Sequence, residues 1–261
     1  MRVRDVDLEV QETGEGLAFI WGHGLLGSMA QDDAADLVDW AALSAGCRLL
    51  RYDARGHGRS EATLAPEDYC WPELGRDMLA LLDALGEERA VLGGVSMGCA
   101  TSLHAAVRAP ERVAGLVLMA PPTAWRTRAR QARVYRVLAI VIDRLGIGLF
   151  RRLASLPRPQ PGNAALAAME RSVIEQLRRA DRRAVVGALR GAAKSDLPAA
   201  RKLAALDVPV LILAWTDDPS HPVSSAEELA EILPRAELHV AGSAEDVHGW
   251  TQHMADFLES R

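Results

Sequence analysis

Residues 90–108 read AVLGGVSMGCATSLHAAVR. An apolar run over 90–95 meets a helix-forming run over 97–108 at one serine, with Gly94 two residues before it and Gly98 two residues after. Glycine at both places lets the chain pass sharply from strand to helix without a Cβ clash. Such a turn holds Ser96 out at the end of a strand. The helix behind it aims unpaired N–H groups and its positive end at any negative charge that develops there. These are the demands of acyl transfer on a nucleophile, so Ser96 is the first candidate catalytic residue, and the N–H of Met97 a candidate oxyanion donor.

Outward from this turn, short apolar runs alternate with helical patterns, the signal of βαβ units. Strands are predicted over 17–21, 47–52 and 113–119, with a helix over 29–45 between the first two. Trp71, Leu74, Met78, Leu81 and Leu85 repeat every three or four residues, which predicts an amphipathic helix over 72–85 that stops at Gly86. The alternation ends at Pro121-Pro122. Residues 123–206 carry no strand pattern and read as several helices with a loop near 156–163. It resumes with a strand over 208–215, a helix over 224–233, a strand over 237–241 and a helix over 245–259. The α/β class follows: a mostly parallel central sheet flanked by helices, with a core of 1–122 and 207–261 and a helical insertion at 123–206.

The 261 residues are 49% hydrophobic and 25% charged, enough apolar material to bury a core and too much for a disordered chain. The strongest apolar run, 137–142, is too short to span a bilayer, so no membrane partner is expected, and no apolar signal segment stands at the N-terminus. Cys47, Cys70 and Cys99 are odd in number and scattered, which suits a reducing cytoplasm. A net charge of −5 argues against a nucleic-acid partner. That average hides a step. Residues 123–201 hold 16 Arg and one Lys against five acidic residues, a net +12, while the rest carries −17. Arg126, Arg128, Arg130, Arg133 and Arg136 suit an anionic substrate if they face a cleft. They suit water, the acidic body or a second copy of the chain, as in a homodimer, if they do not.

Two further motifs sit at strand ends. Trp21-Gly22-His23-Gly24-Leu25-Leu26-Gly27 brings backbone close to whatever lies before it, and the Leu25 N–H is the second oxyanion candidate. Trp21, His23 and Gly24 are candidates to line a pocket, although His23 is more simply read as bonded to its own loop. Residues 51–60, RYDARGHGRS, read as a structured turn in which Asp53, Arg55 and His57 hold the chain in place. There is no HExxH, CxxC or GxGxxG pattern, so neither a metal nor a dinucleotide is expected.

Taken in order and spacing, the His-Gly pair after the first apolar strand, RYDARGHGRS and GVSMG resemble the α/β-hydrolase superfamily. Within it they are most similar to small esterases and to hydrolases of the 3-oxoadipate enol-lactonase type. The resemblance implies the α/β-hydrolase fold with 123–206 as a helical cap, a Ser–acid–His triad in that chain order, and no cofactor. It also implies a small-molecule ester, thioester or lactone as substrate. Residues 212–222, ILAWTDDPSHP, resemble the family's strand-then-GxxDxxxP loop, with Trp215 where glycine is usual. The resemblance thus makes Asp218 the acid, with Asp217 the second choice, and Trp215 a further pocket candidate. The family histidine follows the last strand in a Gly-His pair. Here that stretch reads VAGSAEDVH over 240–248, and Ser243-x-x-Asp246 is a helix-capping pattern. His248 is the expected base, one turn late. His221, three residues past Asp218, is the alternative base or a pocket residue. Two other functions stay open: a cofactor-free haloperoxidase (perhydrolase) with the same triad, and a non-catalytic small-molecule binder with a degenerate histidine site.

Overall fold

A computed structural model describes residues 1–154, 177 and 180–261 of the chain. Three short strands, β1 (Arg2–Val3), β2 (Val6–Asp7) and β3 (Val10–Thr13), precede β4 (Ala18–Gly22), α1 (Met29–Ala35), α2 (Trp40–Ser44), β5 (Arg48–Tyr52) and α3 (Trp71–Ala84). Next come β6 (Ala90–Val95), α4 (Met97–Arg108) and β7 (Val113–Met119), then helices α5 (Trp125–Ala154), α6 (Arg182–Lys194) and α7 (Ala200–Leu203). The chain closes with β8 (Val210–Trp215), α8 (Val223–Ile232), β9 (Ala236–Ala241), α9 (Ala244–His248) and α10 (Trp250–Glu259).

Seven strands form one sheet in the order β3-β5-β4-β6-β7-β8-β9. β3 is antiparallel to β5 and every other pair is parallel. The two faces are sorted residue by residue, because successive side chains of a strand point to opposite sides. On β4, Ala18 and Ile20 join a core with α3 and α4, while Phe19 and Trp21 join a second core with α2 and α10. The chain runs from β4 to β5 on one side and then returns to β6 on the other. At such a reversal the loops leaving the two strands diverge and open a crevice beyond their carboxyl ends. The loops that leave β4 and β6 here carry Leu25 and Ser96.

Most predicted elements lie within a residue or two of their expected positions. The helix expected over 29–45 is two helices. Asp36 is left-handed at φ 52° and ends α1, and the Asp39 side chain accepts the Ala42 N–H to start α2. The helix expected over 245–259 divides at Gly249. The strands before residue 14 were not expected; pairs as short as Arg2–Val3 with Val6–Asp7 leave no periodicity to read.

Between β7 and β8 the described residues hold helices and no strand. Ala139 and Ile142 of α5 pack with Leu177 and with Val185, Val186 and Leu189 of α6 in a small core of their own. Leu25 and Leu26 of the β4 loop lie against it. Of the five arginines considered for a cleft, Arg126, Arg130, Arg133 and Arg136 are exposed. Arg128 is buried, its guanidinium 4.1 Å from the Trp71 ring centre, and donates to the carbonyls of Ser195 and Ala192. It fastens α5 to the end of α6. The loop expected over 156–163 lies outside the described residues. Among those residues no helix is long and apolar enough to cross a membrane.

Candidate active site

Ser96 joins β6 to α4 with φ 53° and ψ −103°, a backbone state that a residue with a Cβ rarely adopts. Its N–H donates to the Met119 carbonyl at 3.0 Å, which ties the strained residue to the end of β7. The two glycines of the motif have a contact reason as well as a conformational one. A Cβ at Gly94 or at Gly98 would collide with the Gly22 carbonyl, so β4, β6 and α4 meet backbone to backbone just behind the serine.

The β4 loop lies beside Ser96, since a Cβ on Gly24 would stand 3.8 Å from the Ser96 Cβ. His23 shapes that loop rather than facing the site. It is buried, its Nε2 accepts the Ala54 N–H at 2.9 Å, and its Nδ1 therefore donates to the Gly24 carbonyl at 2.7 Å. Burial pushes its pKa down to about 4, against a smaller opposing effect of the Gly24 carbonyl. Asp53 fixes the neighbouring turn, accepting from the N–H groups of Met29 and Arg59 at 2.8 Å each. Buried Arg55 forks onto Asp77 and Asp5. Asp53, Arg55 and His23 thus hold the loops, as their motifs suggested. Met97 is the first residue of α4, so its N–H has no partner within the helix.

The imidazole at Ser96 is His221. Its Nε2 is 2.8 Å from Ser96 Oγ, and its Nδ1 is 2.6 Å from Asp218 Oδ2. A carboxylate only accepts, so Nδ1 carries the proton and Nε2 presents its lone pair to the serine hydroxyl. Asp218 is buried and every side of its carboxylate is used. Oδ2 also accepts the Trp215 Nε1–H at 2.9 Å, and Oδ1 accepts the N–H groups of Ser220 at 2.8 Å and His221 at 3.2 Å. Burial alone would raise this carboxyl. The hydrogen bond and charge of His221, helped by Trp215 and Ser220, outweigh it and hold Asp218 at about 2. Asp217 is exposed and left-handed at φ 64°, a turn residue that aims its neighbour inward.

His248, the expected base, is not brought to Ser96. It ends α9 and is exposed. The reason lies in Ser243 and Asp246. Ser243 Oγ accepts the Asp246 N–H, and Asp246 Oδ2 accepts the Gly242 and Ser243 N–H groups at 2.9 Å each, so the chain after β9 is committed to starting a helix. His239 and His253 stack on each other with ring centres 3.9 Å apart. The two tryptophans proposed for a pocket wall are buried packing residues. Trp21 donates to Asp32 Oδ2 at 3.1 Å and meets Trp40 edge to face, and Trp215 stacks on Trp250 at 5.3 Å. The role of Trp215 as donor to the acid was not anticipated. Its one signal was a tryptophan where the family pattern has glycine. Among the described residues no group of three His, Cys, Asp or Glu could hold a metal.

Chemically, the site offers a hydroxyl hydrogen-bonded to an imidazole, which is oriented in turn by an ionised carboxylate. This is the constellation of general-base-assisted nucleophilic attack. A family model for the alpha/beta hydrolase fold matches residues 18–250. A Variovorax paradoxus (strain S110) protein named as a carbamate hydrolase, RutD, is 31% identical over 267 residues, spanning 96% of this chain and 94% of its own. The 3-oxoadipate enol-lactonase 1 of Acinetobacter baylyi is 31% identical over 188 residues, 72% of this chain and 67% of its own. Among solved structures, a thermophilic esterase from Thermogutta terrifontis matches with a TM-score of 0.78 at 23% identity over 98% of this chain and 94% of its own. The enol-lactonase from Burkholderia xenovorans LB400 matches with a TM-score of 0.74 at 25% identity over 98% of both chains.

Proposed function

The chain belongs to the α/β-hydrolase fold family, and from that premise we propose that it is a serine hydrolase cleaving a small-molecule ester, thioester or lactone through an acyl-enzyme on Ser96. The relatives named as a carbamate hydrolase and an enol-lactonase support hydrolysis at an acyl carbon. The observation that carries the mechanism is the unbroken line of hydrogen bonds from Ser96 through His221 to Asp218.

Ser96 Oγ attacks the carbonyl carbon as its proton passes to His221 Nε2. Negative charge gathers on the carbonyl oxygen and is met by the N–H groups of Leu25 and Met97. Asp218 keeps Nδ1 protonated and stabilises the imidazolium. The carbon–oxygen or carbon–sulfur bond to the leaving group then breaks, and that group takes the proton from Nε2. Water repeats the cycle on the acyl-enzyme: Nε2 removes its proton, the hydroxyl adds to the carbonyl, and Ser96 leaves with the proton restored.

In this reading the insertion at 123–206 acts as a cap, which the packing of Leu25 and Leu26 against the small core of α5 and α6 supports. The free thiols, with Cys47 and Cys99 buried, suit a reducing cytoplasm. The reading of a non-catalytic binder was motivated by a missing base, and His221 in hydrogen bond to Ser96 removes that motive. Fluorophosphonate labelling tests the proposal. One label per chain, lost in Ser96→Ala, is the expected result, together with a burst of p-nitrophenol from a short activated ester. A chain that neither labels nor hydrolyses such an ester overturns it.

A further inference from the structure

The outer side of α5 is composed like neither a core nor an ordinary surface. Its inner side packs on α6 through Ala139 and Ile142, with Tyr135 and Leu138 partly buried beside them. A helix packed on one side normally turns polar residues to water on the other. Here Val134, Val137, Ile140 and Leu145 recur about once per turn on the solvent side and are 42%, 53%, 48% and 58% exposed. Leu149, beyond the break at Gly146, is exposed as well. The other exposed large apolar side chains among the described residues, Met1, Leu64 and Val240, stand singly in separate stretches of the chain. A single exposed apolar residue is ordinary, whereas a row on one helix marks a contact surface.

Arginines are interleaved with this row. Arg126, Arg130, Arg133, Arg136 and Arg144 are exposed. Asp143 is the one acidic residue of α5, and it is held by Arg190 of α6 at 2.8 Å. The helix therefore offers its outer arginines no carboxylate of its own. Aliphatic groups and unneutralised cations share one face, and the flexible arginine stems let each guanidinium reach past the apolar side chains around it. A second copy of the chain does not match this face. Pairing α5 with its own symmetry mate sets arginines against arginines. The acidic body of another copy supplies charge but, among the described residues, no exposed apolar row. An anionic bilayer surface supplies both halves: phosphates for the guanidinium groups, and the headgroup–acyl boundary for valine, isoleucine and leucine.

We propose that the outer face of α5, from Arg130 to Leu145, docks the protein onto an anionic lipid surface, with the helix lying in the plane of the headgroups. Its aliphatic row enters the headgroup layer and its arginines hold lipid phosphates. The expectation of no membrane partner rested on span length, and a helix that cannot cross a bilayer can still lie on one. Docking needs no catalysis, so the proposal stands apart from the role of Ser96.

Co-sedimentation tests this with vesicles of phosphatidylcholine containing about one third phosphatidylglycerol, beside vesicles of phosphatidylcholine alone. The whole chain carries −5, so bulk charge predicts repulsion and binding reports a local face. The wild type is expected to bind the anionic vesicles at low salt, to bind the neutral ones at least about tenfold more weakly, and to lose affinity as salt rises. Arg130→Gln, Arg133→Gln and Arg144→Gln combined weaken binding about 100-fold, at about fivefold for each basic residue near the surface. Ile140→Ser with Leu145→Ser keeps every charge and weakens binding about tenfold. Arg59→Gln, Arg76→Gln and Arg235→Gln combined remove the same charge from exposed sites on the body and leave binding within about threefold. All of these positions are exposed, so thermal melts of the variants stay close to that of the wild type. A wild type that ignores anionic vesicles overturns the proposal. So does an equal loss in the body variant, or an Ile140→Ser, Leu145→Ser chain that binds as the wild type does. A dimer by light scattering that the α5 variants dissociate gives the face to a second copy and overturns it too.

Discussion

The loops that leave β8 and β9 begin alike, at the carboxyl ends of neighbouring parallel strands, and do opposite work. The β8 loop carries Asp218 and His221, and folds so tightly that one carboxylate accepts both the backbone N–H and the ring N–H of the same histidine. The β9 loop carries Ser243 and Asp246: the Ser243 hydroxyl accepts the Asp246 N–H, and the Asp246 carboxylate accepts the N–H groups of Gly242 and Ser243 just before α9. Both use an aspartate to gather N–H groups in a turn. In one the gathered donor includes an imidazole that reaches Ser96. In the other it is backbone alone, and the histidine at the helix end points to solvent. Which loop supplies a base is decided by what its aspartate is already holding, not by which strand it follows.

The comparison breaks or sharpens most decisively at the histidines. Ser96→Ala lowers turnover on the order of a millionfold, and His221→Ala comes within about tenfold of that loss, because members of a triad act as a unit. His248→Ala leaves turnover within about twofold of wild type. Steady-state kinetics on an activated ester reads all three, and the reverse order for the two histidines inverts the roles of the loops.

Next in size is Asp218→Asn, which costs about 10⁴ in kcat by favouring the wrong imidazole tautomer. It also changes acid stability. Folded Asp218 takes a proton only near pH 2, whereas the unfolded carboxyl does so near pH 4. The unfolded state thus binds the proton first, so this stabilisation is whole above about pH 4 and is lost as pH falls through about 2. Thermal melts across that window should drop less steeply in Asp218→Asn than in wild type. Parallel curves would mean that the carboxylate is not held by its donors.

Two smaller effects probe the supports of each loop. Trp215→Phe removes one of the donors to Asp218 while keeping a ring against Trp250, and costs about 2 kcal/mol of stability by denaturant titration. Ser243→Ala removes the cap of α9 and costs about 1 kcal/mol with hydrolysis unaltered. A loss of activity in Ser243→Ala would tie the β9 loop back to catalysis.

The sheet and the sharp turn at Ser96 were legible because backbone sterics write themselves into sequence. Gly94 and Gly98 are required wherever β6 and α4 pass against Gly22, and an apolar run that ends at such a glycine has few other readings. Asp218 was legible through the likeness of residues 212–222 to the family's strand-then-GxxDxxxP loop. Its histidine was harder, since the contact with Ser96 spans 125 residues and leaves no local pattern. The same stretch did carry the negative half of the answer: Ser243 and Asp246 spelled a helix start where the family keeps its base. Asp36 was missed for a related reason, as a single left-handed residue in a polar run interrupts a helix without changing its composition.

The tight turn of the β8 loop has one more consequence. With acid and base three residues apart, their mutual geometry is fixed by a few torsions of one segment. Only a single long-range relation, imidazole to serine, is left for the rest of the fold to maintain. A displacement of that segment withdraws both groups together, so the machinery fails or recovers as one piece and not by degrees.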